Sequence, residues 1–435
     1  MILRFPISRL VTESLDQNEK RTFRSHLIYQ SIDGIILGIL AMNEFVFLKS
    51  IKGTSYELGF LLQFAALVFL FLVLFIEFRK RIRNKSRMLR ITGLLTRLPL
   101  IALFFFPSEA SAYSNSQVYH IFFLGIFLIY YLGNAIIYPS INVLLKTNYR
   151  HENFGRLYAY TSSLNKFIML IVTFAYGMLL DFNFYVFRYV FPVVAILGIT
   201  SIFILSKIDD SKMVYLPGSE PLLRSIRNSI KNILRILVVN KPFRDFEIGF
   251  MLYGFAYMTT EPVINIFFYE GLMLNYSSVA FYKNAYNIIA IILLLFTGRW
   301  IGRMDPRKFA AITFLSLLFY ILFMMLAQYL PGHFYIGNIK VYYMLILSFA
   351  SYGYFAGTMV LVWNIGSAYF CKPEEADDYQ SNHLFLTGVR AIFAPLMGVW
   401  LFNMVGFTGT FSLAIGFLVL SIGTMYYSYK KQHAT

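Results

Sequence analysis

Apolar runs of about 20 residues, separated by short polar gaps, account for most of this chain. A run of that length matches a hydrocarbon layer of about 30 Å at about 1.5 Å rise per residue. Blocks such as Leu67–Ile76, wholly aliphatic or aromatic, cannot lie on a water-facing surface, and they are too many for one soluble core. Inside a bilayer only a helix satisfies every backbone group within its own segment. The chain is therefore read as an all-α polytopic membrane protein. Its 14% of charged residues fit that reading, since soluble chains carry about 25%.

Twelve spans are expected, at 27–48, 56–77, 91–106, 119–145, 157–180, 184–206, 245–268, 277–298, 309–330, 341–365, 379–402 and 408–428. An even number puts both termini on one side, and the basic residues choose the side. The gaps sharing a side with the termini carry 30 Lys and Arg, whereas the opposite gaps carry only Lys49, Lys52 and Lys340. Arg97, Lys166, Arg188, Lys283 and Arg390 fall within spans. Basic flanks stay in the cytoplasm, so the chain is expected in the cytoplasmic membrane with both termini inside. The same distribution explains the net charge of +16 without a nucleic-acid partner. A single cysteine, Cys371, excludes an intramolecular disulfide and a thiolate-rich metal site. Residues 1–24 include Asp16, Glu19, Lys20 and Arg21 and hold no apolar stretch of signal-peptide length, so they read as an amphipathic lead-in.

The chain divides into an N-terminal unit over 1–206, a basic cytoplasmic linker over 207–244 and a C-terminal unit over 245–435. The linker contains Pro217-Gly218 and then a helical-looking stretch, Leu222–Val239, which reads as a surface linker or as a helix lying on the membrane. The two halves repeat weakly. The basic gap Arg79–Arg83 after the second span corresponds to Gly298–Lys308 after the eighth. Lys166 in the fifth span corresponds to Arg390 in the eleventh.

With this organisation the chain resembles the major facilitator superfamily over essentially its whole length. The most specific local match is the loop after the eighth span, where Gly298, Gly302, Arg303, Asp305, Arg307 and Lys308 resemble the family's loop of glycine, acid and basic residues. The first-half copy keeps the basic residues but lacks the glycine and the acid. Arg150–Arg156, with Gly155, resembles the arginine–glycine step before the fifth span. The Gly-Pro-rich motif of many antiporters is missing from that span. The resemblance implies two six-helix bundles rocking about a central site, with spans one, four, seven and ten lining the cavity. It also implies a cytoplasmic gate at Gly155, Arg156, Gly298, Arg303, Asp305 and Arg307. Asp305 is expected there, partly exposed, to pair across the closing interface.

An ionisable group in a bilayer costs from about 2.5 kcal/mol upward, so it normally faces protein or water. Asp33 and Glu44 are eleven residues apart in the first span, which returns them to nearly one face, with Gly34, Gly38 and Ala41 between them as a thin wall. Glu261 precedes Pro262 in the seventh span, and Lys283 lies at similar depth in the eighth beside Asn284 and Asn287. Asp33, Glu44, Lys166, Glu261, Lys283 and Arg390 are therefore the candidate substrate or coupling residues. Structural readings stand beside each: Glu261 with Lys283 as an ion pair, Asp33 bonded to backbone or loop residues, Arg97 paired near the gate. Lys166 and Arg390, facing one cavity, would suit an anionic or zwitterionic solute. The carboxylates of the first and seventh spans would suit proton coupling.

The function expected is secondary transport of a small organic solute by a monomer, coupled to protons and without a cofactor. A membrane-embedded transferase would need a His-Asp or paired-acid site, and His120, His151, His333 and His383 are scattered without such spacing. A sensor or lipid scramblase on the same scaffold is the remaining alternative.

Overall fold

The computed structural model describes residues 15–65, 82, 84–114, 116–209, 222–301, 304–372 and 375–433. The far part of the second expected span, most of the basic gap behind it, Pro217-Gly218, Gly302 and Arg303 lie outside the described residues.

Helix follows helix almost throughout. The first, α1 (Gln17–Leu40), resumes after a break at Ala41–Met42 as Asn43–Lys49. It is followed by α2 (described over 55–65), α3 (Lys85–Arg97, tightening into a 3₁₀ run Leu98–Phe105), α4 (Val118–Asn148), α5 (His151–Phe182) and α6 (Phe187–Leu205). A linker helix (Leu222–Val239) leads to α7 (Lys241–Ile266, ending in a π-turn Phe267–Gly271), α8 (Tyr276–Ile301), α9 (Pro306–Tyr329) and α10 (Tyr343–Ile365). Next come α11 (Ala376–Ala391, continuing over 394–405) and α12 (407–433), separated by Gly406 at φ 67°. A left-handed φ is open to glycine at little steric cost, so the chain can reverse there within a continuous apolar sequence.

Local chemistry sets several starts. Asp16 and Glu19 form a reciprocal capping box at α1. Asn84, Asn240 and Asp305 accept from backbone N–H groups at the starts of α3, α7 and α9, and α7 and α9 also carry proline in their first turn. Between α9 and α10 a hairpin that the sequence reading did not anticipate joins β1 (His333–Ile336) to β2 (Ile339–Tyr342), turning at Gly337 with φ 57°.

Eight described stretches are long and apolar enough to cross a bilayer, and the last, Asp378–Lys431, runs through α11 and α12 together. Between the bundle helices, α7 and α8 are diluted by polar side chains: Glu247 and Glu261 in one, Lys283, Asn284 and Asn287 in the other. Large apolar side chains such as Leu95, Ile121, Phe167 and Leu420 stay exposed, as suits a lipid-facing surface.

Two groups of helices result. In the first, α5 and α6 pack on α1, and α3 packs on α4 and α6; in the second, α7 packs on α11–α12, while α10 packs on α8 and α9. Contact between the groups comes chiefly from α5 against α8, with residues 43–49 against α7 and its π-turn. The described hydrogen bonds that join the bundles all lie at mid-depth or towards the end away from the termini. Asp181, at the end of α5, accepts from Tyr276 N and Ser277 N at 2.8 Å each, capping α8 across the divide. Ser50 meets the Tyr276 hydroxyl, Lys49 donates to Leu274 O, and Gln63 donates to Ile392 O. The molecule is thus clamped shut at the end away from its termini.

Candidate functional site

Behind that clamp, at mid-depth, lies a cavity of about 280 Å³ walled by both bundles. The break in α1 leaves Ala41 and Glu44 facing α8. Lys283 of α8 bridges the bundles there, its Nζ 3.1 Å from Glu44 Oε2 and donating also to the Ala41 carbonyl. Their side chains remain 22% and 19% exposed, for Lys283 and Glu44 respectively, so the pair is half-buried and reachable from the cavity. Glu261, one residue before Pro262 in α7, lines the same cavity, and its carboxylate accepts no hydrogen bond among the described residues. The expected Glu261–Lys283 pair is therefore replaced by Glu44–Lys283, because α8 is packed against the first bundle. Aromatic rings complete the wall: Tyr257 and Tyr352 stack and share a 2.9 Å hydroxyl contact, and Tyr286 and Tyr320 pack against Tyr352.

Two further cavities continue from this one towards the termini. The first, about 360 Å³, shares Ala41 and Met169 with the central cavity. The second, about 260 Å³, shares Leu37 and Tyr138 with the first and holds Asp33, Gln30, Asn142 and Lys166. Asp33 accepts from Asn165 at 3.3 Å. The glycines expected as a thin wall have that role: a Cβ on Gly34 would strike the Asn165 carbonyl, and one on Gly38 would strike Met169 O and Val172. Asp33 and Glu44 do not share one cavity, however. The break at Ala41–Met42 separates them, so one opens into the central cavity and the other nearer the termini.

Lys166 and Arg390 are not brought together. Lys166 is exposed into the terminal cavity, whereas Arg390 is 2% exposed inside the second bundle and lines none of these three cavities. Arg390 Nη1 donates to Phe250 O at 2.5 Å, and its guanidinium lies over the Tyr253 ring. Gly254 makes room, since a Cβ there would overlap the guanidinium. Arg97 is likewise structural, donating to Asn134 and to Tyr130 O while stacking on Tyr130.

At the loop after α8, Asp305 takes both Arg307 Nε and Nη2, at 3.0 and 2.8 Å, and Arg307 Nη1 reaches Ser428 of α12. The pair is 7% and 1% exposed for Asp305 and Arg307, so it is a buried clamp and not the partly exposed contact expected. Its described partners lie within the second bundle. Gly298 lies in α8, and Arg303 lies outside the described residues. In the first half, Arg156 bonds Asn153, whose amide bonds Glu19, and Gly155 lies in the first turns of α5.

Sequence reasoning missed Glu19, which is buried and ties the start of α1 to Arg150 N and Asn153. It also missed Asp181, Gln63 and the buried Glu247–His383 pair at 2.9 Å. Long-range partners carry no local spacing signal; the capping box around Glu19 was the one available clue.

The model of the Major Facilitator Superfamily matches residues 27–370. No curated protein matches the chain by sequence. Similar folds occur in the nucleoside transporter NupG, at 12% identity and TM-score 0.66, covering 95% of this chain and 100% of that one. The peptide transporter POT in complex with sulfate shows 14% identity and TM-score 0.63, covering 94% and 95%. A D-xylose-proton symporter shows 13% identity and TM-score 0.60, covering 94% and 96%.

Proposed function

The chain belongs to the major facilitator superfamily, and on that premise we propose that it moves a small zwitterionic solute across the cytoplasmic membrane by alternating access. The observation that carries this reading is the Glu44–Lys283 pair, which bridges the two bundles inside a cavity closed at one end. Bonds in such a pair must break whenever the bundles part on that side, so a solute able to compete for either charge biases the equilibrium between the two states. Two carboxylates and one ammonium in one chamber suit a zwitterion better than a simple anion. Asp33 and Lys166 line the route between that chamber and the termini.

With 1–206 and 245–435 as the rocking units, 207–244 as their linker and the termini in the cytoplasm, this is the inward-facing state. Closure of the cytoplasmic side would then bring together the segments holding Gly155, Arg156, Gly298, Arg303, Asp305 and Arg307. Glu44 and Glu261 are the proposed proton carriers, since each lies where solvent from only one side can reach it in a given state. The test is uptake of a labelled metabolite panel into proteoliposomes, with and without an imposed pH gradient. Gradient-stimulated uptake should be lost in Glu44→Gln/Lys283→Met. Uptake indifferent to that double change would remove the cavity from transport, and indifference to the gradient would remove proton coupling.

A further inference from the structure

We infer that the central cavity selects its solute through a hydrogen-bond-donating cation, an ammonium or guanidinium joined to a flat or apolar body, and that Glu261 holds that group. This rests on the cavity being the solute site. The unpartnered Glu261 carboxylate, set among tyrosine rings on the wall, carries the argument. Asn265 and Asn284 each donate one amide N–H to a carbonyl, that of Glu261 and that of Leu170, at 3.0 and 2.8 Å. A backbone carbonyl can only accept, so each amide must turn its NH₂ to it and keep its oxygen as an unspent acceptor. The Thr173 and Thr260 hydroxyls donate to backbone carbonyls of their own helices. Lys283, the one cation among the described residues of the wall, gives two of its three N–H groups to Glu44 and Ala41 O.

Among the charged groups of the wall, the Glu261 carboxylate is the one that no described side chain or backbone N–H satisfies, and the Asn265 and Asn284 amide oxygens stand beside it as further acceptors. An anion placed against Glu261 would meet a like charge and leave that carboxylate without a partner, which penalises it. A cation meets the reverse. It supplies the missing partner of Glu261, and the adjacent rings of Tyr257, Tyr286 and Tyr352 offer faces on which a cation or a flat body is stabilised. The volume, about 280 Å³, corresponds to about nine waters at about 30 Å³ each, which sets the solute at metabolite size.

The experiment measures thermal shifts of the purified full-length protein with three probes of one shape: 2-phenylethylamine, 2-phenylethanol and phenylacetate. Each is titrated against wild type, Glu261→Gln, Glu261→Asp and Lys283→Met. The amine alone should stabilise wild type. Its apparent affinity should fall at least tenfold in Glu261→Gln and fall less in Glu261→Asp, while Lys283→Met serves to test any response to phenylacetate. Each variant's ligand-free melting temperature serves as the folding control. Stabilisation by phenylacetate that depends on Lys283 would overturn the cation assignment while leaving the cavity as the solute site. Equal stabilisation of wild type and Glu261→Gln by the amine would overturn the role of Glu261, and no shift with any probe would overturn the assignment itself. Failure of the underlying reading shows separately, as metabolite uptake that survives Glu44→Gln/Lys283→Met.

Discussion

Removing the Glu44–Lys283 bridge should both weaken the fold and open the clamped end. At 3.1 Å the gross attraction is about 5 kcal/mol for an effective dielectric of about 20. Desolvation offsets part of it. Exposed pairs contribute up to about 1 kcal/mol, whereas breaking fully buried pairs costs about 3–5 kcal/mol. With about a fifth of each side chain exposed, the coupling should fall between, at about 2 kcal/mol. A double-mutant cycle of Glu44→Gln, Lys283→Met and the pair, read by denaturation in detergent, measures it. Because the bridge spans the bundles, the same 2 kcal/mol favours the closed end by a factor of about 30. Spin labels at Phe182→Cys and Met273→Cys, both highly exposed at that end, should report a longer distance population in Lys283→Met on a Cys371→Ser background. A coupling below about 0.5 kcal/mol together with an unchanged distance distribution would refute the reasoning.

Three further outcomes follow from the buried polar contacts. Asp305→Ala strands Arg307 and should cost about 3 kcal/mol, with much of the loss recovered in Asp305→Ala/Arg307→Met; a melting curve identical to wild type would show that the clamp does not hold α9 to α12. Arg390→Lys should lower the melting temperature, because one ammonium cannot reproduce the guanidinium contact with Phe250 O and Tyr253, but should leave solute affinity within about twofold. A large loss of affinity in a normally stable Arg390→Lys would return that residue to the site. Cys371 should react with an impermeant maleimide only after the membrane is opened, since the termini side is proposed to be cytoplasmic. Burial, and after it the Glu375 carboxylate, raises the Cys371 thiol above its ordinary value. The thiolate is the reactive form, so labelling should be slow near neutral pH, quicken as pH rises, and be faster in Glu375→Gln. Ready labelling of intact cells would reverse the topology.

The fold was legible in the sequence because the bilayer constrains it so tightly. Runs such as Leu67–Ile76 have no stable place but hydrocarbon, and the 30-to-3 split of basic residues is the ground on which their orientation is proposed. The α1 glycines were legible for the same reason: between apolar helices, only small residues let backbones approach, and Gly34 and Gly38 do meet α5. Ionisable residues within spans also announced themselves by their cost, and the sequence marked Glu44, Glu261 and Lys283 on that ground. It could not say who pairs with whom. Position in a helix gives depth, but not the rotation of one helix against another in a different bundle. Depth alone coupled Lys166 with Arg390 and Glu261 with Lys283. Packing instead turned Arg390 into the core of its bundle and carried Lys283 across the divide to Glu44. The break at Ala41–Met42, which moves Glu44 off the face of Asp33, and the Asp181 cap on α8 are likewise settled by contacts between residues far apart in the chain. One-dimensional pattern fixes which groups must escape lipid; only the tertiary structure decides where each escapes to, because that depends on the surface a neighbouring helix presents.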